Sequence, residues 1–519
     1  MKRALSHGKV LGLIALSFSA NCGENAVLGN DRGTGGTAGH AGSAPGGSSG
    51  NEASGGGSAD GGPDTGAGGS GANGGAGASA GASGTAGTAD TGAPPQCRPP
   101  PSAAPCGPPD APCTVAVNEE IAHRGYYPSL VLDGAGTPHV LHNGPLMLGE
   151  PTRYAVRSAS GWQSENAIFP PTEFDSSLMG GLVLRGNTPN VFVPNQTEGG
   201  IKVLERVDGS WRQRDALSSI TQFAGRSVAT DTNGVVHLGA VGLKTIDFEE
   251  HAFANYVRNA DRGDWAVEEL GERETGTIEI ALSARGRPSF TYWTYSPAGF
   301  VLRFASPSEP SEEIPASLSP GGLGDDQHLM AISGGCEPDP GVAHVFFGRP
   351  HPEGRELVIG TRTARETWQT VPVVVDPNDD PEEQRCPAGP AVGTECTEKF
   401  NSRVPLAVFT SPSPPVPGAP GFSDLRYLYG KDHFEFDRRY RCFNPEQCQW
   451  EFLRSRVSGE LRLGWLEAGG ARDVLIAPVP AKDAVVAVDA RGAIHVVAVL
   501  DETPEDNGTS LRYLRLERR

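Results

Sequence analysis

The chain has 519 residues, a formal charge of -19 and 70 glycines. That length exceeds one ordinary hydrophobic core, so it calls for several domains or for a repeat architecture joined to an unfolded segment. The acidic balance excludes nucleic acid as a partner, because phosphate binding needs a basic field, and it suits a soluble surface outside the cytoplasm.

Residues 1 to 22 read as an export signal. Lys2, Arg3 and Lys9 precede an apolar stretch from Val10 to Ala20 that is too short to span a bilayer comfortably. The stretch ends in Ser19-Ala20-Asn21-Cys22, which resembles the small-residue box of bacterial lipoprotein signals. That resemblance implies lipidation of Cys22 and anchoring to the bacterial outer membrane or cell surface. The alternative is ordinary cleavage near Ser19 or Ala20 and secretion. Residues 23 to 96 follow as a run of Gly, Ala, Ser and Thr holding 26 of the glycines. Such a run cannot bury enough apolar surface to offset its backbone entropy, so a disordered tether is expected there, with the folded domain over 97 to 519.

Nine cysteines are an odd number. Setting Cys22 aside leaves Cys97, Cys106, Cys113, Cys336, Cys386, Cys396, Cys442 and Cys448, an even set that suits disulfides in an exported protein. Short separations favour Cys386 with Cys396 and Cys442 with Cys448. Cys336 is then left to pair with one of Cys97, Cys106 and Cys113. No spacing matches the paired Cys-x-x-Cys of a zinc site, so no metal and no cofactor are expected.

Within the folded region one phrase recurs. It reads SLVLDGAGTPHVLHNG from Ser129, SVATDTNGVVHLGAVG from Ser227 and AVVAVDARGAIHVVAVL from Ala484. Aligned on Gly136, Gly186, Gly234, Gly286, Gly341 and Gly492, the units are 50, 48, 52, 55 and then 151 residues apart. A period near fifty fits one four-stranded propeller blade, and each unit shows short alternating apolar runs bounded by Gly, Asp, Asn and Pro. Asp133, Asp231 and Asp489 are placed to accept N–H bonds in an Asx-type turn, with the glycines taking positive φ. Trp162, Trp211, Trp265 and Trp368 start outer strands and are expected to pack between blades.

Residues 377 to about 476 read as one enlarged sixth blade, although their length also fits two. The final unit is one strand short, and the segment 113 to 121 is the candidate to complete it against 484 to 519. The expected fold is therefore an all-β propeller of seven four-stranded blades, with six or eight as alternatives.

The recurring Asp-x-x-Gly-x-x-His phrase resembles secreted bacterial β-propellers of the sialidase-like superfamily, and the tether behind the lipobox is similar to that of myxobacterial surface lipoproteins. The resemblance covers residues 113 to 519. It implies a fold and leaves activity open. Asp-box repeats of the form Ser-x-Asp-x-Gly-x-Thr-Trp are absent.

His139, His237, His344 and His495 share one place in four blades. They read as buried histidines bonded to turn backbone rather than as a metal ring. In Ser289 to Phe300, alternation sets Phe290 and Tyr292 on one strand face and Trp293 and Tyr295 on the other, as in a strand sandwiched between blades. Asp376, Asn378 and Asp380 begin a calcium-loop pattern that Pro381 breaks, so a solvated loop is expected. Arg153, Arg185, Arg303 and Arg355 lie at non-equivalent places, which argues against a converging carboxylate-binding triad.

Recognition is the function these features favour: binding of an extracellular glycan or protein by loops of a monomeric propeller, with the membrane reached through the lipid anchor alone. The candidate ligand-binding residues are Tyr295, Tyr427, Tyr429, Phe434 and Trp450, with Phe436 beside them. No catalytic residue is assigned. The alternative is a sialidase-like glycoside hydrolase with its active site at the ring axis.

Overall fold

In the computed structural model the described residues are 105–107 and 112–519, less 145–150, 168–179, 195–199, 218–219, 221–226, 260–264, 274, 297–298, 308, 316–327, 334–340, 352–353, 374–383, 389, 411–424, 445–446, 468–469 and 504–507. The signal, Cys22, the Gly-rich tether, Cys97, Cys336 and the Asp376 loop lie outside them.

Every regular element among the described residues is a strand, and the strands form seven four-stranded antiparallel sheets. The first, β1 (Cys113–His123), belongs to the last blade. Blade one is β2 (Tyr126–Leu132), β3 (Pro138–Asn143), β4 (Arg153–Ser158) and β5 (Gly161–Asn166). Blade two is β6 (Gly181–Arg185), β7 (Thr188–Pro194), β8 (Ile201–Val207) and β9 (Ser210–Leu217). Blade three is β10 (Val228–Thr230), β11 (Val236–Ile246), β12 (Glu249–Asn259) and β13 (Ala266–Arg273). Blade four is β14 (Thr275–Leu282), β15 (Pro288–Ser296), β16 (Gly299–Ala305) and β17 (Glu312–Glu313).

Blade five is β18 (His328–Ser333), β19 (Val342–His351), β20 (Gly354–Ala364) and β21 (Thr367–Pro372). Blade six is β22 (Glu395–Thr410), β23 (Leu425–Asn444), β24 (Gln447–Glu467) and β25 (Gly470–Ala477). Blade seven is β26 (Ala481–Val488), β27 (Ile494–Thr503) and β28 (Gly508–Arg518), completed by β1 in register Cys113 to Arg518 through His123 to Ser510. The first strands of successive blades touch in sequence, and β26 returns to β2, so the ring is closed.

Runs of consecutive apolar residues such as Val140–Leu141, Val191–Phe192 and Val496–Val497 give a strand two apolar faces, and each face needs a neighbour. The core accordingly divides into seven clusters, one between each pair of adjacent blades. Phe290 and Tyr292 face blade three beside Val241 and Tyr256, whereas Trp293 faces blade five beside Met330 and Val345. The expected sandwich is present.

The recurring phrase is a turn with a carboxylate inside it. Asp133 Oδ1 accepts from the N–H groups of Ala135 and Thr137 at 2.9 and 2.7 Å, and Asp231 and Asp489 repeat this two and four residues on. Gly136 takes φ 82°, where a Cβ would be strained. The second carboxylate oxygen faces the histidine, giving Nε2–Oδ2 distances of 3.7, 3.5 and 3.3 Å for His139, His237 and His495. The other ring nitrogen meets a tyrosine hydroxyl of the blade's third strand: Tyr154 at 2.5 Å, Tyr256 at 2.8 Å and Tyr513 at 2.8 Å. The histidines are buried as expected, but their partners are side chains rather than turn backbone. In blade five His344 bonds Ser333 and Thr361 instead, both at 2.9 Å.

A second repeat joins the blades. Arg157 forks onto Glu119 of the previous blade, and Trp162 donates to the same carboxylate at 3.1 Å. Arg206 and Trp211 do this to Glu165, and Arg362 and Trp368 to Glu312. Each tryptophan also meets an aromatic ring of the previous blade edge-on: Trp162 with Tyr513, Trp211 with Tyr154, Trp265 with Phe192 and Trp368 with Phe304. The tryptophans therefore pack between blades as expected.

Candidate functional site

The turn glycines identify the two faces of the ring. Gly136 of blade one lies against Asp489 of blade seven, and Gly286 of blade four against Asp231 of blade three, so the first-to-second turns gather on one face. The second-to-third connections open on the other. There the longest strands project: β25 pairs with β24 only from Leu461 outward to Glu467, whereas β22, β23 and β24 run on together as a three-stranded arm over 395–403, 431–444 and 447–460. A smaller projection on the same face is the β11–β12 hairpin, whose two-residue turn holds Asp247 at φ 52° and Phe248 at φ 68°, the latter 96% exposed.

Disulfides fasten the arm. Cys442 and Cys448 are bonded directly across β23 and β24, and Cys386 is bonded to Cys396, holding an edge segment whose Gln384 exchanges two backbone bonds with Lys399. A third bridge, Cys106 to Cys113, precedes the closing strand.

Period-2 alternation gives the arm two unlike faces. On one, opposite charges sit across from each other: Lys399 on Glu435 at 2.8 Å, Arg456 on Glu435 at 3.3 Å and on Asp437 at 2.7 Å, and Arg439 on Glu395. The bond from Lys399 holds the Glu435 carboxyl below its usual range, and the Thr397 hydroxyl and Arg456 do so for Asp437. This face floors an open cleft of about 510 Å³ lined by Gln384, Thr394, Thr397, Lys399, Glu435 and Arg456 among others. Its size falls within the range of small-ligand sites. Donors and ionised acceptors alternate along it, an arrangement able to bind neighbouring hydroxyls.

The other face is aromatic. Phe400 stacks on Phe434 with centroids 4.9 Å apart, Phe436 contacts both, Phe452 meets Phe436 edge-on at 5.8 Å, and Tyr440 meets Trp450 at 5.4 Å. Arg438 lies over Phe436 and pairs with Glu398 at 2.9 Å. Phe452 and the neighbouring bulge residue Leu453 are 46% and 44% exposed.

The residues singled out from sequence divide accordingly. Phe434 and Trp450 are half-buried on the aromatic face. Tyr427 and Tyr429 do not belong to it. They lie on the blade portion of β23, fully buried against blade five, where Tyr427 meets Phe346, and Tyr429 donates to Asp473 of β25 in its own blade at 2.6 Å. Burial pushes both hydroxyl pKa values up, and neither offers a surface to a ligand. Phe436 is also largely buried. Tyr295, next to the last residue of β15, lies opposite Phe300, and its side chain lies outside the described ones.

Arg153 and Arg185 do not converge. Arg185 ends β6 on the turn face and donates to Asn259 at 2.9 Å, whereas Arg153 begins β4 on the opposite face. Sequence reasoning missed Phe400, Phe452 and the cleft residues. The signal was the alternation through Phe434, Phe436, Arg438 and Tyr440, which marks one long strand running beyond ordinary blade length.

No protein-family model matches the chain, and no curated protein matches it. Solved structures with a related course include the NanB sialidase of Streptococcus pneumoniae, at 10% identity, 78% of this chain, 70% of that one and a TM-score of 0.33. They include polysaccharide lyase Uly1, at 8%, 78%, 92% and 0.39, and the Aleuria aurantia lectin AAL, at 12%, 69%, 98% and 0.34. Likeness at these values carries no argument about ligand or chemistry.

Proposed function

We propose that the chain is an exported recognition protein, lipid-anchored through Cys22, that binds an extracellular glycan in the cleft on the charged face of the sixth-blade arm. The observation that carries this reading is the cleft itself: Lys399, Arg456, Thr394, Thr397 and Gln384 supply donors beside the acceptors Glu395 and Glu435. Sugar hydroxyls both donate and accept, so they suit such a mixed floor better than an apolar or singly charged ligand does. The aromatic face supports a second reading, a protein ligand, because Phe452 and Leu453 are exposed side by side.

A glycan array probed with the full mature chain, disulfides intact, tests both. Binding that survives moderate salt and is lost in Glu435→Gln supports the cleft. Binding lost in Phe452→Ala and retained in Glu435→Gln moves the site to the aromatic face. A blank array removes the glycan reading. Mass spectrometry of the mature N-terminus tests the anchor, since an unmodified start at Ala20 or Asn21 excludes it.

A further inference from the structure

The arm is joined to the ring at a place where charge is buried without balance. Asp432, on β23 where the arm leaves the blade, is 7% exposed, and Asp501, near the end of β27 in blade seven, is 6% exposed. Among the described residues one ammonium answers them: Lys482 of β26 lies 3.3 Å from Asp501 Oδ2. The Oδ1 atoms of both carboxylates are buried and have no hydrogen-bond partner among the described residues.

The surroundings are shaped to hold Asp432 in this place. The residue opposite it on β24 is Gly459, where any Cβ would overlap Asp432 Oδ1, and a Cβ at Gly430 would lie 3.0 Å from the Ala481 carbonyl oxygen of blade seven. The residue opposite on β22 is Ser402, which carries no charge. By alternation, Lys431, His433 and Glu460 belong to the other side of the sheet. The charges that act on Asp432 come from blade seven, Asp501 of β27 and Lys482 of β26.

Two buried carboxylates and one ammonium leave a net negative charge, which a low-dielectric site tolerates only when it is neutralised. We propose that Asp432 and Asp501 form a proton-binding site at the root of the arm, and that occupancy of this site decides how firmly the arm is held to the closing blade. With the proton bound, Asp432 has an O–H to donate and Asp501 Oδ1 is an acceptor in need of a donor. Without it, two carboxylates confront each other across the junction of blades six and seven with a single ammonium between them.

Burial, reinforced by the charge of Asp501 and opposed by Lys482, pushes the Asp432 carboxyl up to about 7. A raised carboxyl binds its proton more tightly in the folded state. The resulting stabilisation is complete below the ordinary carboxylate range and is lost as pH rises through about 7. The arm root is thus tight in mildly acidic surroundings and loosened in mildly alkaline ones.

Hydrogen exchange of the full, ligand-free chain at pH 6 and pH 8, corrected for intrinsic rates, tests the proposal independently of any reading of the ligand. Amides in 431–444 and 447–460 are expected to lose protection at the higher pH, by up to roughly tenfold per pH unit for one linked proton. Amides in β8 of blade two should stay unchanged. Asp432→Asn should protect the arm equally at both values, since the amide donates without titrating. Asp501→Asn should move the midpoint to lower pH by removing the like charge. A wild-type arm indifferent to pH, or a pH response retained in Asp432→Asn, overturns the proposal. Should Asp432→Asn fail to fold, an unchanged midpoint in Asp501→Asn overturns it alone.

Discussion

Arg157 of blade one forks onto Glu119 of the strand that completes blade seven, each of two guanidinium nitrogens lying 2.9 Å from a carboxylate oxygen. The same carboxylate accepts from Trp162. This clasp spans the junction where the ring is shut by distant parts of the chain, whereas the equivalent clasp on Glu165 joins blades that follow each other in sequence.

Glu119→Ala should therefore destabilise the propeller more than Glu165→Ala. Each loses three hydrogen bonds to a half-exposed carboxylate, an effect on the order of 1–3 kcal/mol after screening. The difference between them reports the junction. Thermal melts at low and high salt check this, and equal losses would mean that closure rests on backbone pairing alone.

His344 is buried with both ring nitrogens bonded, and burial pushes its pKa down to about 4; burial does the same for His142. A lowered histidine takes its proton more readily when unfolded. Stability is then complete above about 6.5 and falls as pH drops toward 4, by roughly 3 kcal/mol for such a shift. Denaturant midpoints for wild type and His344→Gln, measured between pH 7 and 4.5, should converge as the pH falls. This slope is opposite in sign to that of Asp432, so the two effects separate in one titration.

Tyr427 and Phe452 occupy the same sheet with opposite duties. Tyr427→Ala should cost about 3–5 kcal/mol by opening a cavity between blades five and six. Phe452→Ala should cost less, about 1 kcal/mol, as its ring is about half in solvent and gives up only its edge-on contact with Phe436. Chemical denaturation distinguishes them, and a large loss in Phe452→Ala would show that the aromatic face is packed against something.

Phe248 sits in solvent at φ 68°, a conformation that disfavours bulky side chains. Phe248→Gly should raise stability by about 1 kcal/mol, because the strain is relieved and no buried contact is lost. A fall in melting temperature would show instead that the ring makes a stabilising contact.

The propeller was legible because its repeat serves the backbone: an Asp-x-x-Gly turn reverses the inner strand in three blades, and a tryptophan packs at four of the junctions between blades. The partners of those groups were less legible. Tyr154, Tyr256 and Tyr513 come from other strands of the blade and Glu119 from the far end of the ring, and no short-range pattern marks such pairings. Tyr427 and Tyr429 were misplaced for a related reason. Aromatic residues at alternate positions look the same whether the strand lies within a blade or beyond it, and only the point at which β25 stops pairing, near Leu461, separates the two.

The pairing of β1 with β28 also sets an order of events in time. Residues 113 to 123 leave the ribosome roughly four hundred residues before their partners 510 to 518 are made. Throughout that interval they are a bare strand edge, open to pairing with any other chain. Three successive charged or polar residues in this strand, Asn118, Glu119 and Glu120, together with the earlier Thr114, oppose such encounters, and the nearby Cys106–Cys113 bridge tethers its start. A nascent or truncated chain lacking its last strand should accordingly be a client for holding factors, and the finished ring should gain its cooperativity in a single late step.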